Sequence, residues 1–244
     1  MREERICVSK IKRIMVEYKG IRGVWHMKKY HTVIFDLDGT LLNTLEDLAD
    51  AVNAVLQENG YPLRTLDEVR RFVGNGIRRL MELAVPEGLE ADTFERVFEE
   101  FRAYYTEHCQ IKTRAYDGVM ELLAVLKEKG YAMAIVSNKN HAAVLELNEL
   151  YFKEFIPVAI GQQDGIRKKP APDTVFQALK ELGVSGAGAV YVGDSEVDFM
   201  TAENSEMDCV LVSWGFRTQE ELAECTPKAM IDRPEELLEI LGNF

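Results

Sequence analysis

Four aspartates lie in two short segments of the chain, and we expect them to form one acidic cluster. Asp36 and Asp38 are separated by a single leucine, and Asp194 and Asp198 lie four residues apart much later in the chain. Carboxylates gathered at one place repel one another unless a cation joins them. Oxygen ligands of this kind favour Mg²⁺, so we expect these four aspartates to form a magnesium site. Asp38 would contribute its backbone carbonyl, and Asp198 either ligates the ion or orients its waters.

Other polar residues complete a site for chemistry on a phosphate group. Asp36 is the candidate nucleophile, since a carboxylate can form an aspartyl-phosphate when cations offset the repulsion between two anions. Lys169 would supply such a charge, and Ser137 would donate a hydrogen bond to the phosphoryl group. Asp38 would protonate the leaving oxygen and later activate water. The predicted catalytic residues are Asp36, Asp38, Ser137 and Lys169; Ser137, Asn138 and Lys169 would also bind the substrate.

The positions of these residues follow from the strands that precede them. Short apolar, β-branched runs predict buried strands at 30–35, 132–136, 157–160, 189–192 and 209–212, with a short strand at 230–231. Asp36 and Ser137 come directly after predicted strands, and Asp194 lies two residues beyond the end of another. Ligands of an open parallel sheet bind beyond the carboxyl ends of its strands. We therefore expect these residues to meet at one edge, although Ser137 could instead cap a following helix.

Helical patterns separate the strands and point to an α/β fold. They cover 119–129, 173–182, 198–206 and 234–241, which predicts a parallel sheet covered on both faces. Residues 44–113 carry only helical patterns and are too long for an ordinary loop. We predict a core of 27–44 and 116–244, a helical cap of 45–115, and an N-terminal extension of 1–26. Either Met27 is the natural start, or residues 1–26 are a loosely attached extension.

Composition limits the partners of the chain. The formal net charge is -12, which disfavours nucleic acid and anionic lipid as partners. No apolar run approaches the length that spans a bilayer, and the 4 cysteines have no zinc spacing. We expect a cytoplasmic protein with reduced thiols, either a monomer or a homodimer, that acts on a small phosphorylated metabolite.

The sequence resembles the haloacid dehalogenase-like hydrolases. FDLDGTL at 35–41 is similar to the signature of that family, and VSNK at 136–139, KKPAP at 168–172 and VGDSEVD at 192–198 are similar to its other motifs in the same order. The resemblance implies a Rossmann-like core, Mg²⁺ and an aspartyl intermediate. The positions that match its functional residues are Asp36, Asp38, Ser137, Lys169, Asp194 and Asp198. An acid at Asp38 favours phosphate chemistry, because a halide leaves without protonation.

Two further segments resemble the phosphoglycolate phosphatases within this family. They are VGNG at 73–76 in the predicted cap and VSWGFR at 212–217. By this resemblance Asn75 and Arg78 would contact the substrate, although Arg78 and Arg79 equally fit a solvated helix face. Asn43 departs from the acid that many relatives carry near the cap hinge.

Several functions stay open from the sequence. A pyrophosphatase, a sugar-phosphate phosphatase or a phosphoglucomutase would use the same core. A signalling receiver domain also carries an acidic pocket, a Ser or Thr and a Lys at its sheet edge, but it needs neither the helical insert nor Asp38. A phosphate-binding module without turnover would show tight ligand binding and no product.

Overall fold

The computed structural model describes residues 30–242, and the predicted extension of 1–26 lies outside them. The strands are β1 (Thr32–Phe35), β2 (Leu42–Asn43), β3 (Arg114–Ala115), β4 (Ala132–Asn140), β5 (Val158–Gln162), β6 (Ala189–Gly193), β7 (Asp208–Val212) and β8 (Ala229–Ile231). The α-helices are α1 (Leu45–Glu58), α2 (Leu66–Phe72), α3 (Ile77–Ala84), α4 (Ala91–His108), α5 (Val119–Glu128), α6 (His141–Leu147), α7 (Asp173–Leu182), α8 (Glu196–Asn204) and α9 (Leu237–Ile240). Helix α6 continues into a π-helical turn at Asn148–Phe152, and a 3₁₀ turn at Pro234–Glu236 precedes α9.

The described residues form a six-stranded parallel sheet in the order β5-β4-β1-β6-β7-β8. Strand β1 lies at its centre, where Phe35 pairs with Ile135 on one side and with Val192 on the other. Val33 and Phe35 pack into one hydrophobic core and Ile34 into the opposite one, because alternate side chains of a strand point to opposite faces. Both faces are therefore covered, and the predicted α/β fold is confirmed.

Strand β4 is longer than its apolar run predicts. It includes Ser137, Asn138 and Lys139, and Asn140 pairs with Gln162 of β5. The following helix α6 is capped by Asn140, whose side-chain oxygen accepts a hydrogen bond from the Ala142 amide at 3.0 Å. The alternative role of Ser137 as a helix cap is therefore wrong, because neighbouring strand pairing keeps Ser137 in the extended conformation.

A helical insertion, α1 to α4, follows the first core strand as predicted. It has a hydrophobic core of its own, in which Val52, Val55, Val97 and Phe101 are fully buried. The short strands β2 and β3, which the sequence did not predict, pair antiparallel where the chain enters and leaves the insertion. The buried carboxylate of Asp47 accepts hydrogen bonds from two amides in the returning segment. The domain limit of 45–115 stays a prediction.

Among residues 30–242, no helix is both long enough and apolar enough to cross a bilayer.

Candidate active site

A cleft lies at the carboxyl edge of the sheet, between the core and the insertion. The core lines it with Asp36, Asp38, Ser137, Lys169 and Asp194, and Asp198 lies beside them. The insertion contributes mainly glycines and apolar side chains from the segment that joins α2 to α3 and from α3 itself. The sheet order explains this convergence, because β1, β4 and β6 are neighbours and all end at this edge.

Lys169 joins two of the carboxylates. Its Nζ donates hydrogen bonds to Asp36 Oδ1 at 2.6 Å and to Asp198 Oδ1 at 2.7 Å, and it lies 3.1 Å from the hydroxyl oxygen of Tyr191. The side chains of Lys169 and Asp36 are only 3% and 8% exposed. An unpaired charge buried to this degree would be costly, so each group depends on the other to stay ionised.

Burial governs the protonation of these groups. It raises the pKa of Asp36 well above its usual range, and the Asp198 and Asp194 carboxylates reinforce that rise while Lys169 opposes it. Burial would lower the pKa of Lys169, but Asp198 and Asp36 outweigh it, so the pKa is raised instead. Lys169 therefore stays a cation, and the remaining negative charge of the cluster is left without an equal positive charge from the protein.

Asp36, Asp194 and Asp198 together form an acidic site that fits a divalent cation. Each offers an oxygen within 4.8 Å of the others, and all three are buried. Burial, with help from Asp198, raises the pKa of Asp194 to about 7. Of the lysines that the structure describes, only Lys169 is hydrogen-bonded to these carboxylates, and this imbalance suits a hard cation with oxygen ligands.

Two glycines make room for the Asp194 carboxylate. A Cβ on Gly39 would lie 2.3 Å from Asp194 Oδ2, and one on Gly215 would lie 2.2 Å from Asp194 Cβ. Neither distance is compatible with a side chain, so both positions need glycine for backbone to approach this closely. The Phe216 amide then donates a 2.7 Å hydrogen bond to Asp194 Oδ2. This bond fixes the carboxylate in the cleft, and sequence reasoning did not find it.

Asp198 uses both of its oxygens on protein donors. One accepts from Lys169, and the other accepts from the Ser195 hydroxyl at 2.6 Å and from the amides of Ser195 and Asp194. This arrangement caps α8 and orients Lys169. It favours the role in which Asp198 organises the site over direct ligation of an ion.

The other predicted substrate contacts differ in how far the geometry supports them. Ser137 lines the cleft, and its hydroxyl accepts a hydrogen bond from the Lys139 amide. The Asn138 side chain also lies at the cleft, but it is bonded to the backbone of Lys169 on both sides and to the Gly74 carbonyl. Asn138 thus holds Lys169 in place and ties the core to the insertion.

Arg78 and Asn75 are not brought to the same place as these residues. The Arg78 guanidinium pairs with Glu95 at 2.8 Å, lies over the Phe98 ring and is half exposed. Neither Arg78 nor Asn75 lines the cleft, although the Asn75 carbonyl accepts a hydrogen bond from Lys168. For Arg78 the alternative of a helix face paired at the surface describes the structure better, because Glu95 lies within reach on α4.

Asp38 has a partner of its own. The ammonium of Lys139 lies 3.1 Å from Asp38 Oδ1 and 2.7 Å from the hydroxyl oxygen of Tyr105, which belongs to α4 of the insertion. From the sequence alone, Lys139 fits a solvated side chain and a contact behind the site equally well. The sequence carried no sign of Tyr105, because that residue fits the apolar face of its helix. The sequence likewise indicated no role at the site for Tyr191, because that residue belongs to a predicted buried strand.

Comparisons with known proteins agree with the motifs. The family model described as haloacid dehalogenase-like hydrolase matches residues 33–212. A phosphoglycolate phosphatase from Pseudomonas savastanoi pv. phaseolicola is 35% identical over 87% of this chain and 80% of its own length. The phosphoglycolate phosphatase of Aquifex aeolicus is 30% identical over 86% of this chain and 96% of its own length.

A solved structure agrees as well. A protein from Lactobacillus delbrueckii subsp. bulgaricus, provisionally described as a phosphoglycolate phosphatase, superimposes with a TM-score of 0.82 and 37% identity over 87% of this chain and 98% of its own. The family match spans most of the core and the whole helical insertion, and it includes every acidic residue of the cleft. The chain therefore belongs to the haloacid dehalogenase-like hydrolases.

Proposed function

We propose that this protein is a Mg²⁺-dependent phosphatase that hydrolyses a small phosphate monoester through an aspartyl-phosphate on Asp36. The observation that carries the proposal is the buried contact of 2.6 Å between Lys169 Nζ and Asp36 Oδ1, beside the carboxylates of Asp194 and Asp198. The Asp36 carboxyl lies at the cleft, and the Lys169 ammonium beside it favours its ionised form and supplies the positive charge that an incoming phosphate dianion requires.

The residues that would hold Mg²⁺ are Asp36, Asp194 and the backbone carbonyl of Asp38, with Asp198 orienting the surroundings. Bound Mg²⁺ would supply positive charge that offsets the repulsion between the phosphate oxygens and the attacking carboxylate. The imbalance of three buried carboxylates over one lysine supports this assignment.

In the first step Asp36 attacks phosphorus, and the bond between phosphorus and the leaving oxygen breaks. Lys169 and the Ser137 hydroxyl stabilise the charge on the transferring group. Asp38 gives a proton to the departing oxygen, so that the product leaves as a neutral alcohol. Asp38 suits this task by position, because it lies two residues from Asp36 and lines the same cleft.

In the second step water hydrolyses the aspartyl-phosphate. Asp38, now a carboxylate, takes a proton from the attacking water, and inorganic phosphate leaves while the Asp36 carboxylate is restored. The insertion covers the cleft during this cycle. Its loop is tied to the core by Asn138 and by Arg217, which donates hydrogen bonds to the carbonyls of Val73 and Arg70.

Phosphoglycolate is the substrate we propose. The support is the name carried by relatives that match this chain over most of its length. The same chemistry would serve pyrophosphate, sugar phosphates or a mutase reaction, so substrate identity depends on direct assay.

A panel of phosphate esters tests the proposal. Purified full-length protein is incubated with phosphoglycolate, pyrophosphate and several sugar phosphates, with Mg²⁺ and with a chelator, and released phosphate is measured. We expect the highest kcat/KM on phosphoglycolate and none of that activity with chelator. Sugar-phosphate isomers are analysed in the same reactions to detect mutase turnover. No phosphate released from any ester would refute the phosphatase.

A further inference from the structure

The two buried lysines of the cleft serve different carboxylates. Lys169 is bonded to Asp36 and Asp198, on the side where phosphorus would be attacked. Lys139 is bonded to Asp38, and its side chain is only 5% exposed. The proposed steps give Lys169 a task but leave Lys139 without one. A buried ammonium with no task in the chemistry would be a costly group to keep, so its second contact is informative.

That second contact comes from the insertion. The Lys139 ammonium donates a hydrogen bond of 2.7 Å to the Tyr105 hydroxyl oxygen, and it lies 5.0 Å from the centroid of the same ring. Tyr105 is buried near the end of α4, where its ring stacks on Phe101 inside the core of the insertion. Its position is therefore set by the packing of the insertion and not by the sheet.

The three groups form one chain across the boundary between the core and the insertion. Tyr105 contacts Lys139, and Lys139 contacts Asp38. A lysine side chain has several rotatable bonds, so a single contact with Asp38 would leave both side chains free to turn. The hydroxyl and the ring of Tyr105 remove that freedom only while the insertion is docked on the core.

We propose that Tyr105 and Lys139 are positioning residues that orient the Asp38 carboxyl toward the leaving oxygen when the insertion docks. This inference rests on the proposed function, in which Asp38 is the acid and base. It makes docking of the insertion a condition for proton transfer and not only a way to exclude water. Tyr105 touches neither the substrate nor the reacting atoms, so it acts entirely through Lys139.

Two esters whose leaving groups differ in their need for a proton can test this role of Tyr105 and Lys139. Phosphoglycolate releases an alkoxide that needs a proton, whereas p-nitrophenyl phosphate releases a stable phenolate that does not. The value of kcat/KM reports the steps up to phosphoryl transfer for both esters. If Tyr105 orients Asp38, Tyr105→Phe lowers the ratio of kcat/KM on phosphoglycolate to that on p-nitrophenyl phosphate by about tenfold, a fraction of what general acid catalysis contributes.

Tyr104→Phe is the matched control. Tyr104 is the adjacent residue on α4, and its ring stacks on His108 outside the cleft. Its variant should keep the wild-type ratio. Phenylalanine keeps the ring of Tyr105 and its stacking on Phe101, and the activity on p-nitrophenyl phosphate itself shows that the variant is folded.

A double-variant cycle tests whether Tyr105 acts through Lys139. Lys139→Met alone should lower the same ratio, and adding Tyr105→Phe should lower it no further. Equal losses on both esters in Tyr105→Phe, or a further independent loss in the double variant, would overturn the inference while wild-type turnover still supported the phosphatase. A wild-type protein inactive on both esters would overturn both.

Discussion

The core and the helical insertion contribute to the cleft in different ways. The core supplies charged side chains whose positions are set by strand pairing, and these groups are bonded mainly to one another. Four backbone carbonyls of the insertion, at Arg70, Val73, Gly74 and Asn75, accept hydrogen bonds from core side chains, and the Arg70 side chain also contacts the core. The charged groups of the proposed chemistry therefore come from the core, and each of these hydrogen bonds to the insertion contributes only modestly to stability.

The largest effect on activity is expected when the proposed nucleophile is removed from the core. Asp36→Asn should lower kcat by about 10⁴-fold or more, because an amide cannot form the aspartyl-phosphate. Turnover on phosphoglycolate is measured beside circular dichroism of the purified variant. Asp164→Asn, at an exposed position in the loop after β5, should retain wild-type activity. Substantial turnover in Asp36→Asn would remove the nucleophile assignment.

Two adjacent lysines allow a contact within the core to be compared directly with a contact between the core and the insertion. Lys169→Met leaves the buried carboxylates of Asp36 and Asp198 uncompensated, so the free energy of unfolding should fall by about 3–5 kcal/mol. Lys168→Met removes an exposed contact with the Asn75 carbonyl and should cost less than about 1 kcal/mol. Urea denaturation without Mg²⁺ measures both. Equal losses in the two variants would mean that Lys169 is not an essential counter-charge.

The pH dependence of stability sharpens the description of the acidic cluster. The pKa of Asp194 is about 7 in the folded protein against an ordinary value of 3.8. The contribution of Asp194 to the free energy of unfolding is complete below pH 3.8 and is lost as pH rises through about 7. The reason is that the Asp194 carboxyl loses its proton at a lower pH in the unfolded chain than in the folded protein. Without Mg²⁺, the free energy of unfolding should fall across this window by about 1.4 kcal/mol per pH unit from this group.

Mg²⁺ should reverse that trend, because it binds the deprotonated carboxylate. The increase in melting temperature on adding Mg²⁺ is expected to be larger at pH 8 than at pH 6. Asp194→Asn should lose the share of the pH slope that comes from Asp194 and the response to Mg²⁺, and Asp164→Asn should keep both. A response to Mg²⁺ that survives in Asp194→Asn would place the ion elsewhere.

The smallest effect is expected at the contact between the two regions. Arg217 donates hydrogen bonds to the carbonyls of Val73 and Arg70 and pairs with Glu196. Arg217→Met should raise KM for phosphoglycolate by about threefold to tenfold, since a docked insertion loses about 1 kcal/mol of binding to the core. Arg233→Met, at an exposed ion pair, is the control. A large fall in kcat at unchanged KM would mean that Arg217 acts on the chemistry instead.

The sequence predicted the core well because its signal is local. Each apolar run such as 132–136 corresponds to a strand, and α7 has the predicted limits, between Pro172 and a Gly183 in the left-handed conformation. The polar end of β4 was missed, since only pairing with β5 keeps those residues extended. The two-residue strands β2 and β3 carry no periodic signal at all.

The residues of the candidate site that could be predicted are those whose chemistry is evident from the sequence pattern alone. The sequence indicated the polar residues that follow apolar strands, because such residues are conspicuous. The structure brings four of the predicted residues to the cleft: Asp36, Ser137, Lys169 and Asp194. Tyr105 and Tyr191 were not predicted, since a tyrosine on a buried face satisfies the pattern of a core residue whatever its hydroxyl contacts. The substrate contact of Asn138 stays a prediction: the residue lines the cleft, and its amide also holds the backbone of Lys169, which the sequence did not indicate.

The small antiparallel pair of β2 and β3 makes the insertion separable from the rest of the chain. Asn43 faces Arg114 and Leu42 faces Ala115, so the polypeptide departs from the core and rejoins it at adjacent points. That is the geometry of a hairpin, in which a two-residue turn is enough to connect the strands. A helical segment of another size would therefore fit between β2 and β3 without any change in the length of the strands of the parallel sheet.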